Sequence, residues 1–220
     1  MSLLVPASVP VRAPALERRV TDWGGAQGAD WARRNPQSVA ELDASYLEKF
    51  RITRTAVNER MLARVPRTAR ILEVGCSGGN QLDALHAGGF TSLEGCDLST
   101  DALAKCRWPA KVADGSDLPY EDSSFDLVMT SGTFMHVPPG RKVGFLAEIK
   151  RVSSRWYYGC EMWTSTPMAW DFANLIPPAW TCDWFAALAD PAWPIVERAL
   201  LEPTEPFARP LAVWLMEKTG

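Results

Sequence analysis

The chain has 220 residues, enough for one domain with a sizeable core, and its 47% apolar and 22% charged residues are ordinary for a globular protein. A net charge of −3, with no lysine or arginine block, argues against a nucleic-acid footprint, which needs clustered positive charge. Five cysteines without a C-x-x-C pair and two histidines cannot build zinc spacing, and no apolar run approaches the roughly 20 residues that span a bilayer.

The opening "MSLLVPASVPVRAPALERR" has no basic start and is broken by three prolines, so residues 1–20 read as a disordered tail rather than a signal peptide. Reduced thiols, a cytoplasmic location, no metal, no membrane or nucleic-acid partner and a monomer or homodimer are the expectations. "TDWGGAQGADWARRNPQ" follows, rich in glycine and tryptophan. Ser38 and Glu41 then form a capping-box pattern ahead of one or two helices. Residues 21–66 are read as an N-terminal lid with helices, and 67–220 as the core.

From Arg70 a rhythm begins. "RILEVG" reads as a strand and "NQLDALHAGG" as a helix stopped by Gly88-Gly89. "TSLEGCDLS" is a strand, "TDALAKC" a short helix and "AKVADG" a short strand. "SFDLVMTSG" is a strand, "RKVGFLAEIKRV" a helix and "RWYYGCEMW" a strand. This alternation predicts an α/β fold: a Rossmann-like, doubly wound, mostly parallel sheet with helices on both faces. An aromatic, proline-broken insert around 162–193 is expected near the substrate. "PIVERALLEP" and "RPLAVWLMEK" follow it as closing strands, giving the sheet an antiparallel closing strand.

In such a sheet ligands bind outside the carboxyl ends of the strands, where the strand order reverses. "ILEVGCSGGN" puts an acid inside a buried strand and a turn of small residues after it. A pyrophosphate site would want G-x-G-x-x-G, but that frame reads Gly75, Ser77, Asn80 and fails at two of three glycines. The other frame is acid-x-Gly-x-Gly-x-Gly, met by Glu73, Gly75, Ser77 and Gly79 with only the middle glycine replaced. That frame resembles the S-adenosylmethionine motif of class I methyltransferases. The resemblance gives Glu73 a ligand bearing an ammonium group, reached through water or the turn backbone. It draws Cys76 and Asn80 into the same cradle.

Asp97 ends the second strand 18 residues beyond Gly79. By the same resemblance it accepts hydrogen bonds from both ribose hydroxyls, with Leu98 beside it; Ser99 or Thr100 already offers the helix cap that an aspartate there would otherwise supply. Asp114 takes the adenine amino group, with Gly115 and Ser116 behind it. "TSGTFMHVPP", containing Ser131, forms the floor under the methionine moiety, and Trp23 covers the cofactor. His136 is a candidate base because imidazole titrates near neutral pH, and packing is its bland alternative. Glu161, at the end of the fifth strand, is the second catalytic candidate, against a solvated or ion-paired strand end. Six of the ten tryptophans follow from Trp156 to Trp193; most read as core and lid packing, a minority as a face for a flat or sugar ring.

Trp23-x-Gly25-x-x-Gly28-x-x-Trp31-x-x-Arg34-Asn35 is similar to the opening motif of methylases associated with pseudaminic acid biosynthesis, and "YYGCEMWTSTP" resembles their segment after the fifth strand. Tryptophan replaces the usual tyrosine at position 31. The resemblance implies a sugar or nucleotide-sugar acceptor, with Trp31, Arg34, Asn35, Tyr158 and Trp163 as substrate contacts. The function expected is methyl transfer from S-adenosylmethionine to an oxygen or nitrogen of a small molecule, leaving S-adenosylhomocysteine. The alternatives are a catalytically silent S-adenosylmethionine-binding scaffold and a nicotinamide-dependent sugar-modifying enzyme; no Tyr-x-x-x-Lys pair supports the latter.

Overall fold

The computed structural model describes residues 21–35, 38–170, 179–204 and 208–220. The segment read as a disordered tail lies outside the described residues, as do residues 171–178 of the aromatic insert. A short 3-10 turn at Thr21–Gly24 leads into α1 (Ala26–Arg34), α2 (Val39–Phe50) and α3 (Arg54–Met61). Ser38 caps α2 by accepting from Glu41 N at 3.2 Å, and Thr53 caps α3 from Ala56 N at 3.1 Å.

The core then runs β1 (Arg70–Val74), α4 (Asn80–Ala87), β2 (Ser92–Asp97), α5 (Thr100–Leu103), β3 (Ala110–Val112), β4 (Phe125–Ser131), α6 (Lys142–Val152) and β5 (Ser153–Met162). β6 (Met168–Trp170), β7 (Ala179–Thr181), α7 (Trp184–Ala187), β8 (Ile195–Leu201) and β9 (Leu211–Glu217) complete it. β6 and β7 form a separate two-stranded sheet. The others form one seven-stranded sheet in the order β3-β2-β1-β4-β5-β9-β8. β1 to β5 pair in parallel, while β9 runs antiparallel to both of its neighbours, β5 and β8. The doubly wound sheet expected from the alternation is the fold.

Side chains alternate across the sheet, as a period of two requires. Leu72, Val128, Tyr157 and Trp214 enter the core layer holding Phe134, Phe145 and Trp184. Ile71, Leu127, Tyr158 and Leu215 enter the layer under α3 and α4, with Val57, Met61 and Leu82. Glu73 shares the parity of Ile71, so its side chain belongs with the α3–α4 layer.

Three elements differ from the sequence reading. The glycine-rich lid contains the nine-residue helix α1. Inside it Gly28 is required by packing: a Cβ there would stand 1.8 Å from the Trp23 carbonyl oxygen. The helix expected over Thr100–Cys106 stops at Leu103, where the N–H groups of Lys105 and Cys106 turn to the carbonyls of Ala102 and Leu103. β3 ends at Val112, and a tight turn follows in which Asp117 N donates to Asp114 O at 2.9 Å.

Candidate functional site

The chain moves outward from β1 through β2 to β3 and returns to β4 on the other side of β1, so the sheet reverses direction between β1 and β4. At that point the turn after β1 carries φ values of 77° at Gly75, 49° at Ser77 and 85° at Gly79. A Cβ at Gly75 would meet the Thr133 hydroxyl at 2.3 Å, so the backbone's approach to the β4 loop demands glycine there. Gly75 N and Cys76 N both donate to Cys96 O, at 2.7 and 3.0 Å. Asp97 ties the turn to β2: Oδ2 accepts from Ser77 N at 2.9 Å and Oδ1 from Ser99 N at 2.8 Å. Ser99 caps α5, accepting from Ala102 N at 3.2 Å.

A cavity of about 310 Å³ opens at this end of the sheet. Glu73, Gly75, Cys76, Ser77 and Asn80 line it from β1, its turn and the start of α4. Asp97, Leu98, Asp114, Gly115, Ser116 and Ser131 line it from the ends of β2 and β4 and from the loop after β3, and Trp23 from the lid. Gly79 is off the wall; it stands at the N-terminus of α4, where a Cβ would come 2.8 Å from Cys106 Sγ. Gly115 makes a flat slot, since a Cβ there would come 2.2 Å from the Phe145 ring.

The three wall carboxylates differ electrostatically. Glu73 is buried and its Oε2 has no hydrogen-bond partner, so burial raises its pKa well above the usual value. The nearby Arg54 guanidinium acts in the opposite direction. Burial also raises the pKa of Asp97, moderated by the N–H groups of Ser99, Ser77 and Leu98. Burial pushes Asp114 the same way, but the Arg141 guanidinium paired with it and the Ser116 N–H at 2.9 Å outweigh that and leave it below the ordinary value.

Arg54 is a residue the sequence reading missed. It is fully buried, donates from Nε to Gln81 Oε1 at 2.8 Å, and lies 5.5 Å from the ring centres of Tyr46 and Tyr158. Burial disfavours its charge, yet surrounding Cys160, Tyr158 and Tyr46 hold its pKa above the ordinary value. Its two Nη atoms have no hydrogen-bond partner. It places a positive charge behind Glu73, and its only sequence signal was an arginine just after a helix cap.

His136 is buried on the cavity wall, its ring 5.0 Å from that of Trp23 and inclined at 66°. Glu161 departs from its candidate catalytic place. β5 puts Cys160 and Met162 on the wall, and the pleat turns Glu161 away from it. Its oxygens accept from the N–H groups of Thr133, Phe134 and Met135 at 3.2, 3.0 and 3.2 Å. It is a positioning residue that shapes the loop carrying His136.

The lid brings Trp31 and Asn35 to the wall along with Trp23 and Gly28. Arg34 is not on the wall; it pairs with Asp30 one turn back, at 2.6 Å. Tyr158 is buried instead under α3, donating to Asn58 Oδ1 at 2.8 Å. Trp163 is turned toward Asp183, its Nε1 donating to Oδ1 at 3.4 Å. The insert's described tryptophans are not on the wall either; Trp184, for example, packs against Phe134 at 5.2 Å. Unforeseen wall residues include Leu42, Tyr46, Arg141, Cys160, Met162 and Leu211. All five cysteines are free thiols. Among the described residues no cluster of three His, Cys, Asp or Glu side chains could hold a metal, and no helix is long and apolar enough to cross a membrane.

Residues 72–155 match the family model described as a methyltransferase domain. No curated protein matches the chain in sequence. The 1,6-didemethyltoxoflavin-N1-methyltransferase of Burkholderia thailandensis, solved with its substrate and S-adenosylhomocysteine, is similar in structure, with a TM-score of 0.68 at 16% identity over 98% of this chain and 95% of its own. The magnesium protoporphyrin IX methyltransferase of Synechocystis, solved with S-adenosylmethionine, has a TM-score of 0.66 at 10% identity over 95% of this chain and 99% of its own. An S-adenosylmethionine-dependent methyltransferase of Mesorhizobium loti has a TM-score of 0.57 at 16% identity over 72% and 96%. With the domain match over residues 72–155, the chain is a methyltransferase on a Rossmann-like fold, with S-adenosylmethionine as its cofactor.

Proposed function

We propose that the protein methylates an oxygen or nitrogen of a small molecule held where β5 and β9 meet the cavity. One observation carries this reading: Glu73 and Asp97, near the ends of β1 and β2, and Asp114, just after β3, line a single cavity from three adjacent parallel strands. Each matches one part of the cofactor. Glu73, with an unpartnered buried oxygen, suits the ammonium; Asp97 has lone pairs left for the ribose hydroxyls; Asp114 suits the adenine amino group beside the Gly115 slot. When bound, S-adenosylmethionine supplies a methyl group on a sulfonium sulfur.

An acceptor atom aligned by the wall would take that methyl as its bond to sulfur broke, and S-adenosylhomocysteine would remain. The proton released from the acceptor passes to the His136 ring. Trp23 holds that ring from the lid side and, with Trp31, keeps water from the reacting atoms. The wall aligns the reactants and strips their water, which is where most of the rate gain lies in a reaction that disperses charge. The neighbours named for a toxoflavin precursor and a porphyrin support a small-molecule acceptor. The Trp23–Asn35 motif supports a second reading, a sugar or nucleotide sugar.

Calorimetry tests the cofactor and kinetics the base. S-Adenosylhomocysteine should bind in the micromolar range and NAD should not bind; the reverse preference defeats the assignment. His136→Gln should lower turnover about 10²–10⁴-fold with cofactor affinity nearly intact. Normal turnover in that variant would return His136 to packing.

A further inference from the structure

We propose that the acceptor is an uncharged, flat, largely apolar molecule: an aromatic or fused heteroaromatic ring carrying a hydroxyl or ring N–H, and not a sugar nucleotide or an acidic sugar. This rests on the methyltransferase reading of the same cavity and names the substrate class within it. The strand order divides the wall by charge. Glu73, Asp97 and Asp114 stand at or just past the ends of β1, β2 and β3, and Arg141 pairs with Asp114. On the other side of β4, the described wall is Leu42 and Tyr46 from α2, Cys160 and Met162 from β5, and Leu211 from β9. Met162 and Leu211 are register partners, so they form a continuous patch. None of these five is an acidic or basic residue of the Asp, Glu, His, Lys or Arg kind. The Tyr46 hydroxyl is engaged with Cys160 Sγ at 3.6 Å.

A phosphate or carboxylate entering this half would lose its water and find no cation on the described wall there in return, which is costly. Neither of the cations nearby, Arg34 and Arg54, lines the wall. Arg34, the residue best suited to grip an anion, pairs with Asp30 off the wall. Arg54 lies behind the wall between two tyrosine rings. A sugar needs several directed polar partners, whereas thioether, leucine and aromatic groups present a surface for a ring face.

A matched pair of probes isolates the charge. 2-Naphthol is a neutral ring with one hydroxyl, and 6-hydroxy-2-naphthoate adds a single carboxylate to it. Calorimetry on the full chain first confirms S-adenosylhomocysteine binding; if that fails, the cofactor reading falls and the proposal falls with it. With S-adenosylhomocysteine bound, 2-naphthol should bind at least about tenfold more tightly than the naphthoate, since the carboxylate has no partner. UDP-N-acetylglucosamine should not displace it. Leu211→Arg should reverse the preference between the two naphthalenes while S-adenosylhomocysteine affinity stays within about threefold. If S-adenosylhomocysteine binds but the naphthoate equals 2-naphthol, the sugar nucleotide displaces it, or 2-naphthol does not bind, the proposal is overturned and the cofactor reading stands.

Discussion

Asp97 has two tasks, and they can be separated. Its carboxylate holds Ser77 and Ser99 through their N–H groups and still lines the cavity. Asp97→Ala should therefore weaken S-adenosylhomocysteine binding about 10–150-fold, the range for losing a buried charged contact, read by calorimetry on protein whose fold is checked by circular dichroism. Lys142 is a second residue with a measurable signature. It is buried under the His136 loop, donates to Phe134 O at 2.6 Å, and burial lowers its pKa to about 7, against the opposing pull of Cys182 and Glu161. Between that value and the unfolded lysine's value near 10.4, the unfolded chain holds a proton that the folded chain has shed, so stability rises with pH. The contribution is complete above the unfolded pKa and lost as pH falls toward 7. Compared with Lys142→Met, the natural chain should gain on the order of 3 kcal/mol between pH 7 and 10. Urea unfolding of both proteins at the two pH values reads this; parallel curves would show that the lysine stays charged in the fold.

At the scale of elements, we propose that the Trp23–Asn35 segment, which lines the cavity, controls access to it as a lid. Its contacts run from the Leu98 carbonyl, which a Cβ at Gly24 would meet at 3.2 Å, to the His136 ring, so it spans the cavity mouth. Hydrogen exchange over Trp23–Asn35 should slow when S-adenosylhomocysteine binds. Equal protection in both states would make the segment a brace. Gly28→Ala should keep the core folded but weaken binding and abolish that protection, because the Trp23 carbonyl must move. The β1–β3 side of the cavity wall was legible because strand, turn and helix follow at short range: Glu73 to Gly79 spells its own geometry, and Asp97 and Asp114 recur at the ends of the next strands. The rest depended on packing that no local pattern records. Leu42, Tyr46, Met162 and Leu211 meet only after three distant elements assemble, and Arg54 gains its place beside Glu73 from the seating of α3. Glu161 turned on pleat parity alone: a one-residue difference separates it from the wall positions 160 and 162. Arg34 found a nearer partner in its own helix.

At the scale of the molecule, β9 couples the apolar side of the cavity to the core. Gly159 stands opposite Trp214 in the β5–β9 register, and a Cβ on Gly159 would come 2.1 Å from the Trp214 ring. Gly159→Ala should cost about 1–3 kcal/mol by overpacking, seen as a lower urea midpoint with an unchanged slope. Because β9 lies between β5 and β8 although it is made after both, the sheet cannot be finished in the order in which it is synthesised. Every described charged residue on the cavity wall precedes Lys142, whereas Leu211 emerges 49 residues after Met162. At roughly 5–20 residues per second, a nascent chain spends seconds with its cofactor half spelled out and the far side of its cavity missing. Ribosome-bound chains stalled before Leu211 should therefore leave Cys160 open to alkylating reagents, and chains released through Glu217 should close it.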